Sequence, residues 1–194
     1  AEPCGVNAMQ QIVKLLHHLD PTRPVTAGLN LSIILGSMLG INSYSEGGGR
    51  NTTVDEGMAG MGSLLFNSIT SRVGTLMNNT ANSALANRLL APALDCLDIV
   101  GYNYGSGRYA ADMRQAPGRV SVGSETFPYE IARNWAAVRR NPALIGDFMW
   151  AAWDYLGEAG SGGWTWDPTE RGFEKPWPWM LADNGAFDIL GNPK

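Results

Sequence analysis

Histidine and cysteine are nearly absent from this chain, with two of each in 194 residues. Cys4 and Cys96 cannot build a disulfide framework or a metal cluster, and they are read as separate reduced thiols. His17 and His18 are neighbours on one expected helix and point about 100° apart, so they cannot grip one metal as an i, i+4 pair could. No metal and no other cofactor is expected. Charge is sparse too, at 16% of residues, and a net charge of -4 leaves no basic footprint, so nucleic acid is not an expected partner. No run approaches the roughly 18 apolar residues of a membrane span. Nor does a charged segment lead into an apolar one, so no export signal is visible and the compartment stays open, leaning toward the cytoplasm. The chain begins with AEPCG rather than Met, which suggests an excised or processed segment.

What is present points to a packed enzyme-like domain. Hydrophobic residues make up 44% of the chain, enough for one sizeable core. Seven tryptophans and 24 glycines fit a loop-rich protein with an aromatic cleft. Val6, Met9, Ile12, Val13, Leu16 and Leu19 recur at helical spacing and predict an amphipathic helix over 6–19. Asp20-Pro21 stops it, and Val25 to Leu29 reads as a short strand ending at Asn30. Residues 36–62 are broken by glycines and read as a long loop; Asn51-Thr52-Thr53 within it has the form of a glycosylation acceptor. Residues 63–94 read as one or two helices with a break at Asn78-Asn79-Thr80.

The next strand is Leu97 to Tyr102, ending in Asn103 and Tyr104, and a helix is predicted over 108–116. Arg119 to Phe127 (RVSVGSETF) follows as a buried strand with Glu125 at its end. Glu130 to Arg140 reads as a helix with Ile131, Trp135 and Val138 inward, and Leu144 to Trp150 as the last strand. The strands begin near 24, 97, 119 and 144, and all four end in polar or aromatic residues. That is the pattern of β/α units, in a (β/α)8 TIM barrel or at an α/β switch point, where chemistry sits at the C-terminal strand ends. Four strands are half a barrel, since a whole one takes about 250 residues.

A carboxylate, Glu125, close in the chain to the aromatic and acidic patch Trp150, Trp153, Asp154, Tyr155 and Glu158 suggests a sugar site. Pyranose rings offer apolar faces for stacking and hydroxyls for carboxylates. The alternative reading is a buried acid paired with an arginine below a core of tryptophans.

DPTRPVT (Asp20 to Thr26), LDIVGYNYG (Leu97 to Gly105), Ser124-Glu125-Thr126 and GDFMWAAWDYLGE (Gly146 to Glu158) resemble the second half, strands five to eight, of the catalytic barrel of glycoside hydrolase family 2. The closing NGAFDILGNPK (Asn184 to Lys194) resembles the segment before that family's last barrel helix. The resemblance implies a retaining β-glycosidase, in which one carboxylate attacks the anomeric carbon and a second, about 5–5.5 Å away, protonates the leaving oxygen. By motif match Glu125 is the nucleophile, with Tyr104 and Asn103 placed to keep it ionised by hydrogen bonding. Trp150 matches the tryptophan beneath the bound sugar. Asp154 and Tyr109 also match substrate-binding positions, although a structural role fits each equally well. Arg23 is expected as a buried ion-pair partner at the barrel base.

One element of the pattern is missing. The acid/base is expected in an Asn-Glu pair ahead of the first helix, and no such pair occurs; Glu2 is the only acid there. The implied partner is therefore the remainder of a parent enzyme. The half barrel's open edges favour self-association, and the chain alone should hydrolyse little. The family's glucuronidases carry an Asn-x-Lys motif where this chain has Leu181-Ala182-Asp183-Asn184-Gly185, so β-galactosidase is expected first and β-mannosidase next. Trp164, Trp166, Trp177 and Trp179 lie in a Pro-rich loop (160–180) that either walls the leaving-group subsites or packs on the rim. The competing readings are a non-catalytic carbohydrate-binding module or pseudoenzyme, and a retaining endo-glycanase.

Overall fold

A computed structural model describes residues 3–31, 34, 82–156 and 180–194. The glycine-rich loop, the helices expected before residue 82, the Trp/Pro-rich loop, Glu2 and Glu158 lie outside the described residues. The chain divides into two compact units, one holding the described residues up to Met149 and the other the described residues from Trp150 onward.

The first unit is a sequential α/β sheet. Helix α1 (Pro3–Leu19) leads to strand β1 (Thr26–Leu29), α2 (Ala84–Leu94), β2 (Ile99–Asn103), α3 (Arg108–Gln115), β3 (Ser121–Thr126), α4 (Ile131–Val138) and β4 (Leu144–Met149). All strand pairs are parallel, in the order β1-β2-β3-β4. Each strand thus pairs with its chain neighbour, the outcome when every strand is followed by a returning helix. Local chemistry sets the ends. Asp20 closes α1 with its N–H on the Leu16 carbonyl, and its own carboxylate accepts from the Thr22 N–H at 2.9 Å. Ser83 caps α2, its hydroxyl accepting from the Ala86 N–H.

The period-2 alternation of strands separates two faces. Leu29, Val100, Tyr102 and Leu144 enter one core with Val6 of α1, Leu90 and Leu94 of α2, and Tyr109 of α3. At alternate positions Gly28 and Gly101 leave the other face nearly bare, and there side chains from β2 and β3 fill the space.

Three expectations need correction. In α1, Val6 and Val13 are buried, but Ile12, Leu16 and Leu19 are exposed. In α4, Ile131 and Trp135 face out while Asn134 is buried. In both helices the apolar arc is wider than the stripe the sheet and its neighbours cover, and periodicity cannot say which part of an arc is covered. Arg23 is not buried either: its side chain is 84% exposed and pairs with Asp20 at 3.0 Å. The buried arginine is Arg108, fully enclosed and paired with Asp112 and with Asn87 at 2.7 Å. Asp112 also accepts from the Tyr102 hydroxyl and from Arg119, which reaches on to Asp95. Burial, and then the Asp112 charge, push the Tyr102 phenol far up, so it stays a donor.

In the second unit β5 (Tyr155–Leu156) pairs antiparallel with β6 (Leu181–Ala182). The Trp153 ring lies 5.4 Å from that of Phe187, and the Trp150–Ala151 peptide is cis. No helix among the described residues is long and apolar enough to cross a membrane.

Candidate active site

The C-terminal ends of β2 and β3 form the site. Register runs from Tyr102 opposite Gly123 to Asn103 opposite Glu125, so Ser124 and Glu125 together oppose one residue. An extra residue of this kind is a β-bulge, which re-aims side chains that strict alternation would send to opposite faces. Both side chains then reach the Asn103 amide: Nδ2 donates to Glu125 Oε2 at 2.8 Å, and Ser124 Oγ donates to Asn103 Oδ1 at 2.7 Å. Tyr104 follows with φ of 54°, a left-handed conformation that costs a non-glycine residue of order 1 kcal/mol or more and gathers at functional sites. Its N–H donates to the Glu125 carbonyl at 2.7 Å, which ties the two strand ends together. Its ring packs 4.4 Å from Phe127, and Phe127 stacks on Tyr129 at 5.2 Å.

Two further clusters brace this edge. Buried Glu130 accepts from the Ser106 hydroxyl at 2.9 Å and pairs with Arg133, which also donates to Ser106; the loops after β2 and β3 are thereby joined. On β4, Asp147 accepts from the Tyr109 hydroxyl at 2.6 Å, from Thr126 Oγ1 at 2.9 Å and from Asn134 at 3.4 Å. It thus fastens α3 and α4 to the strand that carries Glu125. Burial, and then the bond to Asp147, push the Tyr109 phenol far up, so it too remains a donor.

The six sequence-derived site residues separate. Asn103, Tyr104 and Glu125 come together at two adjacent strand ends. Tyr109 is 3% exposed and donates its hydroxyl to Asp147. Trp150 and Asp154 belong to the second unit. There the Trp150 ring meets Tyr155 edge-on at 6.1 Å. Asp154 accepts from the Gly185 N–H at 2.8 Å and from Lys194 at 2.7 Å. Lys194 also pairs with Asp183, one ammonium between two carboxylates.

Sequence reading missed Ser124, Thr126 and Asp147. The signal available was the hydroxyl-acid-hydroxyl run Ser124-Glu125-Thr126, which only the bulge and β4 make meaningful. A groove of about 620 Å³ between α1 and α2, lined by Val13, Lys14, Arg88, Pro92 and Cys96 among others, contains none of this set. It is open, and although Lys14, Arg88, Asp95 and Cys96 line it, it holds none of Asn103, Tyr104 and Glu125, so the strand-end cluster is the better candidate.

No protein-family model matches the chain, and no curated protein does. Among solved structures it is similar to a glycosyl hydrolase family 2 member from Bacteroides cellulosilyticus, with 24% identity and a TM-score of 0.52 over 97% of this chain. A second family 2 member, from Bacteroides cellulosilyticus DSM 14838, is 22% identical with a TM-score of 0.49 over 97% of the chain. At these identities the likeness is one of fold, and the first comparison carries it. The chain spans 17% of the length of the first structure and 15% of the second.

Proposed function

We propose that this chain is the nucleophile-bearing half, strands five to eight, of the (β/α)8 catalytic barrel of a retaining β-glycosidase of the family 2 type. The observation that carries this reading is the Asn103 amide on the Glu125 carboxylate, 2.8 Å apart at the ends of adjacent parallel strands. Such a donor holds the carboxylate in one orientation at the strand end, where a nucleophile must be presented. The fold likeness to a family 2 glycosyl hydrolase supports it.

In this mechanism the Glu125 carboxylate attacks the anomeric carbon as the glycosidic C–O bond breaks. The leaving oxygen takes a proton from an acid supplied by the rest of the enzyme. Water then attacks the glycosyl-enzyme, gives its proton to that same group and frees Glu125. The chain alone lacks the acid, whose contribution is typically about 10²–10⁴-fold. Trp150 is proposed, on the motif match alone, as a sugar-binding aromatic. The remaining strands would pair with the β1 and β4 edges, and the rest of the enzyme would cover the exposed apolar residues of α1.

The preferred substrate is a terminal β-galactoside, because the Asn-x-Lys motif for a uronate is missing; a β-mannoside comes next. The test is a 2-deoxy-2-fluoro-β-galactosyl fluoride incubated with the intact gene product, followed by peptide mapping. The expected result is a covalent adduct on Glu125 that Glu125→Gln abolishes. Sugar binding with no adduct would establish the carbohydrate-binding reading instead, and cleavage of polymers but not monosaccharide glycosides would establish an endo-glycanase.

A further inference from the structure

We propose that Ser124 is a positioning residue for Glu125, acting through the Asn103 amide in space kept open by Gly28 and Gly101. The inference rests on the glycosidase reading of Glu125 and adds a residue to it. An asparagine side chain can present either its NH2 or its oxygen to a neighbour, and the two ends are nearly the same size. Here the Ser124 hydroxyl donates to Oδ1 at 2.7 Å, leaving Nδ2 as the end that faces Glu125 Oε2. With the amide turned over, Oδ1 would confront a carboxylate, lone pair against lone pair. The carboxylate, which can only accept, therefore selects the Nδ2 end, and the Ser124 hydroxyl, donating to Oδ1, holds the amide in that orientation from its other side.

The backbone is built around this arrangement. The β-bulge places Ser124 and Glu125 opposite Asn103 together. A Cβ on Gly28 would stand 2.6 Å from Asn103 Oδ1, and one on Gly101 would stand 2.8 Å from Ser124 Oγ. Residues of three adjacent strands thus converge on one amide, and two of them contribute by having no side chain.

The experiment measures inactivation of the intact gene product by the 2-deoxy-2-fluoro-galactosyl fluoride, which isolates attack by Glu125 from release of the sugar. Ser124→Ala is expected to slow the limiting inactivation rate about tenfold, the scale of one hydrogen bond to a charged group. The inhibitor's half-saturating concentration should move by less than about twofold, since ground-state binding is untouched. Ser124→Thr, which keeps the hydroxyl, restores the rate. Gly28→Ala, whose Cβ would stand 2.6 Å from Oδ1 and 3.3 Å from Ser124 Oγ, reproduces the loss by displacing the pair from β1. In an Asn103→Ala background Ser124→Ala has no further effect. A wild-type rate in Ser124→Ala, or an undiminished loss in the Asn103→Ala background, overturns the proposal. If the wild-type protein takes no label on Glu125 from either the galactosyl or the corresponding mannosyl fluoride, the glycosidase reading fails by itself. The Asn103 side-chain amide resonances then decide the relay: a shift in Ser124→Ala upholds the hydrogen bond, and unchanged resonances refute it.

Discussion

Gly123 offers the sharpest test of how β3 is held. A Cβ built there would lie closer than 3.0 Å to both the Tyr109 hydroxyl and Asp147 Oδ1, the two partners of one hydrogen bond. Neither can yield freely. Tyr109 is buried within α3, and Asp147 is also held by Thr126 and Asn134. Gly123→Ala must therefore push α3 or β4 outward, an overpacking cost of about 1–3 kcal/mol, and loosen a bond to a carboxylate worth about 1.5–3 kcal/mol. Together these give roughly 2.5–6 kcal/mol. At a urea dependence of about 2 kcal/mol per molar, the unfolding midpoint of the chain falls by about 1.3–3 M. Tyr109→Phe removes the hydroxyl oxygen that the new methyl strikes. The double variant should then be more stable than the sum of the singles by about 1–2 kcal/mol. Far-UV circular dichroism in a urea series reads all four proteins. Strictly additive losses, or a midpoint shift for Gly123→Ala under about 0.5 M, would refute the claim that the Tyr109–Asp147 bond occupies the space beside Gly123.

Asp112→Ala leaves buried Arg108 and nearly buried Arg119 without their shared carboxylate, so it should destabilise the chain by about 3–5 kcal/mol in the same assay. For Lys194, burial lowers the ammonium pKa, but hydrogen bonds to Asp154 and Asp183 outweigh it and leave it above the ordinary 10.5. That contribution is fully present below about pH 10.5 and is lost as the pH climbs through the raised value. Lys194→Met should abolish this alkaline loss, as thermal melts above and below that pH would show. The isolated chain should self-associate, because Ile12, Leu15, Leu16 and Leu19 of α1 and Ile145 and Phe148 of edge strand β4 are exposed. Leu16→Glu with Phe148→Lys should lower the mass measured by light scattering; an unchanged mass would locate the association elsewhere.

The sequence by itself determined the elements, their order and their spacing. Strands expected near 24, 97, 119 and 144 lie at Thr26, Ile99, Ser121 and Leu144, with helices between the last three where the periodicity put them. It also put Asn103, Tyr104 and Glu125 at strand ends. These are local properties, set by side chains two to four positions apart and by the prolines and glycines that break them. Tertiary structure decided everything that depends on register and on who covers whom. Arg23 and Arg108 are chemically alike, yet only the second is enclosed, with partners on α2 (Asn87) and α3 (Asp112). Ile131 and Trp135 belong to an apolar stripe that the sheet does not reach. Lys194 meets Asp154 and Asp183 only because the chain returns to them. Most of all, one extra residue in β3 turns Ser124 toward Asn103. A side-chain period of two means that a slip of one position exchanges the faces of a strand, and nothing within the strand itself records which register its neighbour will choose.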